Sequence, residues 1–207
     1  MNAILNYRQR LLQKELHKNA SFMRTTRNAG REIYQFTAND SKRLMRIVGR
    51  LREISFRQAG GGTGALKDID EHDTNKTNPY GQLIVWDPND KQIIGGYRFL
   101  AWKNAPKDAH GKPKVSTRHY FDITDRFMDE YGLGLMELGR SFVTPEYQAR
   151  NRKSIYSLDN LWDGLGKLHL DNPDMTHFFG KMTLYKNKNA HSKDIIYAWL
   201  QQRFADN

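Results

Sequence analysis

The chain has 207 residues, no cysteine and a formal charge of +10, of which residues 1–58 carry +9 through thirteen basic and four acidic side chains. Its length suits one folded domain, and an aromatic content of 12% speaks against disorder. Disulfides, zinc ribbons, thiol nucleophiles and iron–sulfur clusters are excluded, and no apolar run approaches the roughly 20 residues of a membrane span.

Residues 3–18 read as a basic amphipathic helix, with Ile4, Leu5, Leu11, Leu12 and Leu16 on one side. Such a helix packs on its own domain or lies on an anionic membrane surface. Arg8 and Arg10 break the start, so a signal peptide is not expected, and a soluble cytoplasmic protein is. Residues 19–31 are polar and basic and read as a linker, leaving 32–207 as the main domain. Residues 32–38 alternate and are β-rich. Asp40 or Ser41 then caps a helix with Leu44, Ile47, Val48, Leu51 and Ser55 on one face and Arg43, Arg46, Arg50 and Arg57 on the other. Arg52 falls at the edge of the apolar stripe.

The run AGGGTGAL (59–66) is a loop without the Gly-Lys-Ser/Thr of a phosphate loop. The acidic run DIDEHD (68–73) lacks the central glycine of a calcium-binding EF-hand, and no metal site is expected. Residues 80–87 and 91–102 read as strands joined by Pro88-Asn89-Asp90. Residues 103–118 read as a mobile loop. A short helix at 122–132 is capped by Asp122 or Thr124 and ended by Gly132. A long strand at 133–147 stops at Pro145. A helix at 153–170, a strand at 176–185 with Gly180 as a bulge, and a helix at 192–204 complete the order. A strand–helix–strand–helix ending after a hairpin implies a mixed sheet with a parallel crossover.

Two apolar strands carry charges. LMELGRSFV places Glu137 and Arg140 on opposite faces by strict alternation, and a bulge near Gly139 would turn both towards one cleft. IIGGYRFLAW carries Arg98 behind Gly95 and Gly96, a pair that suggests a bulge or the close approach of a ligand. Charge in a central strand is expensive to bury and gathers at functional sites.

Taken in order, Leu51-Arg52 with Phe56, Asp70 with Asp73, Gly96-Tyr97-Arg98-Phe99-Leu100, and Glu137-Leu138-Gly139-Arg140 resemble the GNAT acyltransferase superfamily. The resemblance covers roughly residues 40–190. It is nearest to the branch joining acyl-homoserine-lactone synthases with the haemolysin-like N-acyltransferases of ornithine and glycine lipids, and especially to the glycine-lipid enzymes of Bacteroidota-type bacteria. It implies an α/β (α+β) fold with splayed parallel strands, here 133–145 and 176–185, whose V-shaped gap admits the acyl thioester. In the superfamily the sheet usually continues beyond the last helix seen here. The charged positions of the synthase branch fall on Arg52, Asp70, Asp73, Arg98, Glu137 and Arg140, and its aromatic position on Phe56.

The resemblance implies transfer of a (3-hydroxy)fatty acyl group to the amine of glycine or ornithine, with no permanently bound cofactor. Glu137 is the expected base, directly or through water. Arg52, Arg98 or Arg140 would hold the acceptor carboxylate, with Asp70 and Asp73 orienting them. Backbone N–H groups of 139–143 would stabilise the oxyanion. The donor would run along Ser141, Phe142 and Val143, with its phosphate near Arg152, Lys153 and Ser154.

Two departures narrow the expectation. AGGGTG stands where the lactone synthases have a Trp that helps hold S-adenosylmethionine. Residues 148–154 lack the glycines of a pyrophosphate loop, which favours acyl carrier protein over coenzyme A as donor. The cationic face of 43–57 would meet the acidic carrier, and the 3–18 helix would meet the cytoplasmic leaflet. The other readings are an acetyl-CoA-dependent GNAT enzyme acting on a small amine or peptide, and a basic nucleic-acid binder. No RRM, zinc-finger or leucine-zipper pattern appears, which leaves a helix-turn-helix within residues 3–58 as the form the last would take.

Overall fold

A computed structural model describes residues 2–148, 154–185 and 188–205, with side chains from residue 7 onward. Six strands form one sheet in sequence order: β1 (Ser21–Thr25), β2 (Glu32–Phe36), β3 (Gly81–Asp87), β4 (Gln92–Ala101), β5 (Leu135–Val143) and β6 (His177–Gly180). Neighbours from β1 to β5 are antiparallel, and β5 pairs with β6 in parallel. The mixed sheet and parallel crossover match the sequence expectation. The fold is a mixed α/β architecture consistent with a GNAT domain.

Among the described residues six α-helices accompany the sheet: α1 (Asn2–Asn19), α2 (Lys42–Gln58), α3 (Glu71–Thr74), α4 (Asp125–Tyr131), α5 (Ser157–Asp171) and α6 (Ala190–Phe204). On one sheet face Leu16 of α1 and Leu44, Met45 and Val48 of α2 pack on Tyr34, Phe36, Ile84, Trp86 and Phe142. On the other, Leu161 and Leu168 of α5 cover Ile33, Leu83, Val85, Ile94 and Tyr97. A third cluster, with Tyr80, Leu100, Trp102, Val115, Ile123 and Leu135, closes one end of the sheet under the 102–134 segment.

The α1 helix packs on its own domain: Leu16 is fully buried, and Ser41 Oγ donates to Glu15 Oε1 at 2.6 Å. No helix among the described residues is long and apolar enough to cross a membrane. Residues 21–25 form an edge strand within the stretch expected as linker. Its burial pattern shows no clean alternation, so the usual period-two signal is weak there. Ser41 caps α2 by accepting from Leu44 N–H, and Thr124 caps α4 by accepting from Phe127 N–H. The strand expected at 176–185 stops at Gly180, the last residue paired with β5. Gly180 is in register opposite Leu138 and is no bulge; a Cβ there would lie 2.9 Å from Leu138 O, so its smallness serves close strand approach.

Two irregularities re-aim the central strands. Val85 pairs with Gly95 while Trp86 pairs with Ile93, which puts one extra residue into β4. Arg98 pairs with Gly139 while Gly96 pairs with Phe142, which puts one extra residue into β5. The bulge expected near Gly139 is therefore present, and Arg140 takes its left-handed backbone, with φ +53°. Gly95 and Gly96 serve strand approach rather than a ligand: added Cβ atoms would lie 2.4 Å from Phe142 O and 2.3 Å from Leu83 O.

Candidate active site

The pairing of β5 with β6 covers Leu135–Leu138 and His177–Gly180 only, so the strands part at Gly139 and Lys181. A cavity of about 730 Å³ opens at that point. Leu138, Gly139, Arg140 and Ser141 line it from β5, Gly180 from the end of β6, Lys181 to Thr183 and Tyr185 from beyond it, Phe56 from α2, and Gly61 to Thr63 from the glycine loop. That loop is held by Glu53, whose carboxylate accepts from the N–H and hydroxyl of Thr63, the N–H of Gly64 and the Arg57 guanidinium. The Thr63 amide, chief among these donors, helps hold the Glu53 carboxyl down to about 2. At Gly61 a Cβ would sit 2.4 Å from the Tyr185 ring, so a side chain there would displace that ring from the cavity wall.

Behind the cavity lies a net of three carboxylates and three guanidiniums. Arg98 Nη1 donates to both oxygens of Asp70 at 2.7 and 2.8 Å and lies 3.2 Å from Asp73 Oδ2. Arg52 Nη1 donates to both oxygens of Asp73, at 3.2 and 3.1 Å, and Arg52 Nη2 donates to Gln82 Oε1. Arg140 reaches Asp68 Oδ2 at 3.2 Å and Asp70 Oδ2 at 3.4 Å. The acidic run is thus the partner of the arginines and not a solvated turn: Asp68 and Asp73 are buried, and Asp70 caps α3 in a reciprocal box with Asp73. Burial opposes ionisation of Asp70, but Arg98, the Asp73 amide and Arg140 together hold its carboxyl at about 2. Burial pushes the Asp68 carboxyl up against the pull of Arg140 and Arg52.

The arginines do not share one exposure. Arg52, expected at the edge of the α2 stripe and as a carboxylate clamp, has none of its surface exposed and turns to Asp73 and Gln82. Arg98 is nearly buried but borders a second cavity of about 200 Å³, along with Asp70, Ser116, Tyr120, Arg140 and Lys181. Arg140 borders both cavities with 32% of its side chain exposed. Lys181 also borders both; burial first, then Arg140 and Arg98, pushes its ammonium pKa down.

Glu137 does not open into the cleft beside Arg140. It is completely buried and accepts four hydrogen bonds: Ser116 Oγ at 2.6 Å, Thr117 N at 3.2 Å, Trp102 Nε1 at 3.2 Å and Thr117 Oγ1 at 3.3 Å. Only one of these donors, Ser116, borders the 200 Å³ cavity. The 103–118 segment, expected as a mobile loop, is therefore an ordered support, with Val115, Ser116 and Thr117 buried. It begins with a 3₁₀ turn at Trp102–Asn104 and is followed into a second at Ser116–His119, and Ser116 N–H donates to Tyr80 Oη at 3.0 Å.

Ser141, Phe142, Val143 and Ser154 line a third cavity of about 480 Å³ with Tyr147 and Leu161, on the α5 side of β5. Arg152 and Lys153, expected near the donor phosphate, lie outside the described residues. Sequence reasoning missed Gln82, Trp102, Ser116, Thr117 and Lys181. Gln82 carried the signal used for Glu137, a polar side chain inside the apolar strand YGQLIVWD; Ser116 and Thr117 carried none.

Residues 51–158 match the model of the acetyltransferase (GNAT) domain family. The chain is 46% identical over 198 residues to a glycine N(alpha)-acyltransferase of Phocaeicola vulgatus, covering 95% of this chain and 60% of that protein. It is 45% identical over 198 residues to a protein of the same name from Bacteroides thetaiotaomicron, covering 95% and 58%. An L-ornithine N(alpha)-acyltransferase of Brucella abortus is 26% identical over 132 residues, covering 60% of this chain and 44% of that protein. The chain spans about three-fifths of the length of the two glycine N(alpha)-acyltransferases.

Proposed function

Because the chain belongs to the acetyltransferase (GNAT) domain family, we propose that it carries the reaction core of an N-acyltransferase that moves a (3-hydroxy)fatty acyl group from acyl carrier protein to the α-amine of an amino acid, glycine foremost, in aminolipid synthesis. One observation carries this reading: the roughly 730 Å³ cavity begins where β5 and β6 part, and Arg140 stands between it and the smaller cavity bordered by Ser116. A thioester in the gap would present its carbonyl carbon beside a cation suited to an acceptor carboxylate. Arg140 is the guanidinium open to solvent, and Lys181 is a second cation at the same boundary. Arg52 and Arg98 keep the network in shape through Asp70 and Asp73.

In the reaction the amine nitrogen forms a bond to the thioester carbon and the C–S bond breaks. The nitrogen must shed a proton, because an α-ammonium has no lone pair to attack with. Glu137 takes it through Ser116: the amine proton passes to Ser116 Oγ while the Ser116 hydroxyl proton, already directed at 2.6 Å, passes to Glu137 Oε1. As the tetrahedral adduct collapses, its nitrogen loses a second proton, which the departing pantetheine sulfur takes to leave as thiol, while the first proton returns from Glu137 through Ser116 to solvent once the products leave. Backbone N–H groups of 139–143 that point away from β4 serve the oxyanion, since past Leu138 that edge of β5 has no β6 partner. Arg43, Arg46 and Arg50, exposed on α2, are the proposed dock for an acidic carrier. The exposed polar side of α1 is the proposed contact with an anionic membrane surface.

The test is mass spectrometry of products from 3-hydroxyacyl carrier protein offered with a panel of amino acids. The reading expects N-acylglycine as the main product. Acetylation of small amines from acetyl-CoA, with no product from the carrier, would replace it.

A further inference from the structure

Beside the proposed acceptor cavity, Glu71, His72 and His119 gather three ligand atoms that no step of the reaction uses. His72 Nε2 lies 3.5 Å from His119 Nε2, and Glu71 Oε1 lies 4.0 Å from the first and 3.9 Å from the second. Tetrahedral zinc, with bonds of about 2.0–2.1 Å, separates its ligand atoms by roughly 3.3–3.4 Å. The triangle is therefore close to one face of that tetrahedron, and swinging the exposed Glu71 side chain is enough to close it. Without a metal, a 3.5 Å contact between two imidazole nitrogens is at the outer limit of a hydrogen bond and needs opposite tautomers.

All three residues border the cavity of about 200 Å³ that also holds Ser116, Arg98, Arg140 and Lys181. Ser116 and His119 stand at the two ends of one 3₁₀ turn, Ser116–His119, while Glu71 and His72 open α3, the helix that Asp70 caps. His72 is set by packing: its ring meets Tyr80 edge-on at 5.5 Å.

We propose that Glu71, His72 and His119 form a binding site for a zinc-class divalent ion, which ties the turn carrying Ser116 to α3 and sits across the entrance of the smaller cavity. Two imidazoles and one carboxylate suit Zn²⁺ and Co²⁺; Mg²⁺ and Ca²⁺ require more oxygen ligands than the trio offers. Arg98, Arg140 and Lys181 oppose a cation here, whereas Asp68, Asp70 and Asp73 offset them.

The test is titration of the metal-stripped chain with Co²⁺, followed by visible absorption, and with Zn²⁺, followed by calorimetry. The expected result is one equivalent bound with the intense d–d bands of four-coordinate cobalt, and no response to Mg²⁺. In His119→Ala, an exposed position where folding is not at stake, affinity should fall by more than the roughly 10–100-fold that loss of a mere outer-shell partner costs. Glu71→Gln should weaken binding in the same direction. Absence of the cobalt bands in the wild type, or equal affinity in His119→Ala, overturns the site. These readouts need no acyl transfer, so the proposed reaction and the metal site stand or fall separately.

Discussion

Replacing Ser116 with Ala separates a proton relay from a structural prop. The Ser116 hydroxyl makes the shortest of four hydrogen bonds to Glu137, at 2.6 Å, and Glu137 has no exposed surface of its own. Losing a hydrogen bond to a buried charge costs about 1.5–3 kcal/mol of stability. The amide of Thr117, its hydroxyl and the Trp102 indole still hold the carboxylate, so the chain should fold with a lowered Tm. The kinetic effect is separate. General-base assistance contributes roughly 10²–10⁴ in rate, and the relay is the described path from Glu137 to a cavity. We expect kcat to fall by about 100-fold, equivalent to about 2.7 kcal/mol in the barrier, with KM for the amino acid little changed. Ser116→Thr, which keeps the hydroxyl, should recover part of the rate. Steady-state thiol release at saturating amino acid measures both parameters. A Ser116→Ala chain that folds and turns over within threefold of wild type would refute the relay.

Arg52→Gln should cost about 1.5–3 kcal/mol of stability, because buried Asp73 would lose the charge-assisted hydrogen bonds of one of its two guanidiniums and keep only Arg98, 3.2 Å away; denaturant unfolding checks this, and a raised KM at unchanged stability would return Arg52 to substrate binding. Arg140→Gln should raise KM for glycine by at least tenfold and lower stability by about 1–3 kcal/mol, because its ion-pair partner Asp68 is buried; steady-state kinetics with varied glycine and denaturant unfolding measure the two effects. The depressed Asp70 carboxyl sets an acid limb. Its stabilisation is complete above the unfolded value near 4 and is lost as pH falls through about 2. Thermal unfolding between pH 5 and 2 should therefore steepen through Asp70, and Asp70→Asn should flatten that limb.

The fold was legible where burial writes a period into the sequence. The hairpin of β3 and β4 and the α2 helix have one face or both in the core, and their boundaries fell within a few residues. Residues 181–185 continue the apolar alternation of β6, but alternation does not supply a hydrogen-bonding partner, and β5 has already turned away at its bulge. The site was legible as charge in the wrong place: Glu137, Arg98 and Arg140 stood out inside apolar strands. How they divide was not. Alternation is blind to the positive φ of Arg140, which sends it to the cavity while Glu137 stays beneath Ser116 and Thr117. Those two hydroxyls come from a Pro- and Lys-rich stretch whose composition says loop and whose contacts are set only by the tertiary fold.

The central claim is amide formation at the β5–β6 gap with Glu137 as the proton acceptor. A single-turnover quench, with the chain in excess over 3-hydroxyacyl carrier protein and with ¹⁵N-glycine present, tests it most directly when wild type and Glu137→Gln are run side by side. The account predicts labelled N-acylglycine from the wild type, and from Glu137→Gln a bound but unconsumed acyl carrier with the amide formed at least 100-fold more slowly. Equal amide formation by both chains, or none from the wild type, would contradict it.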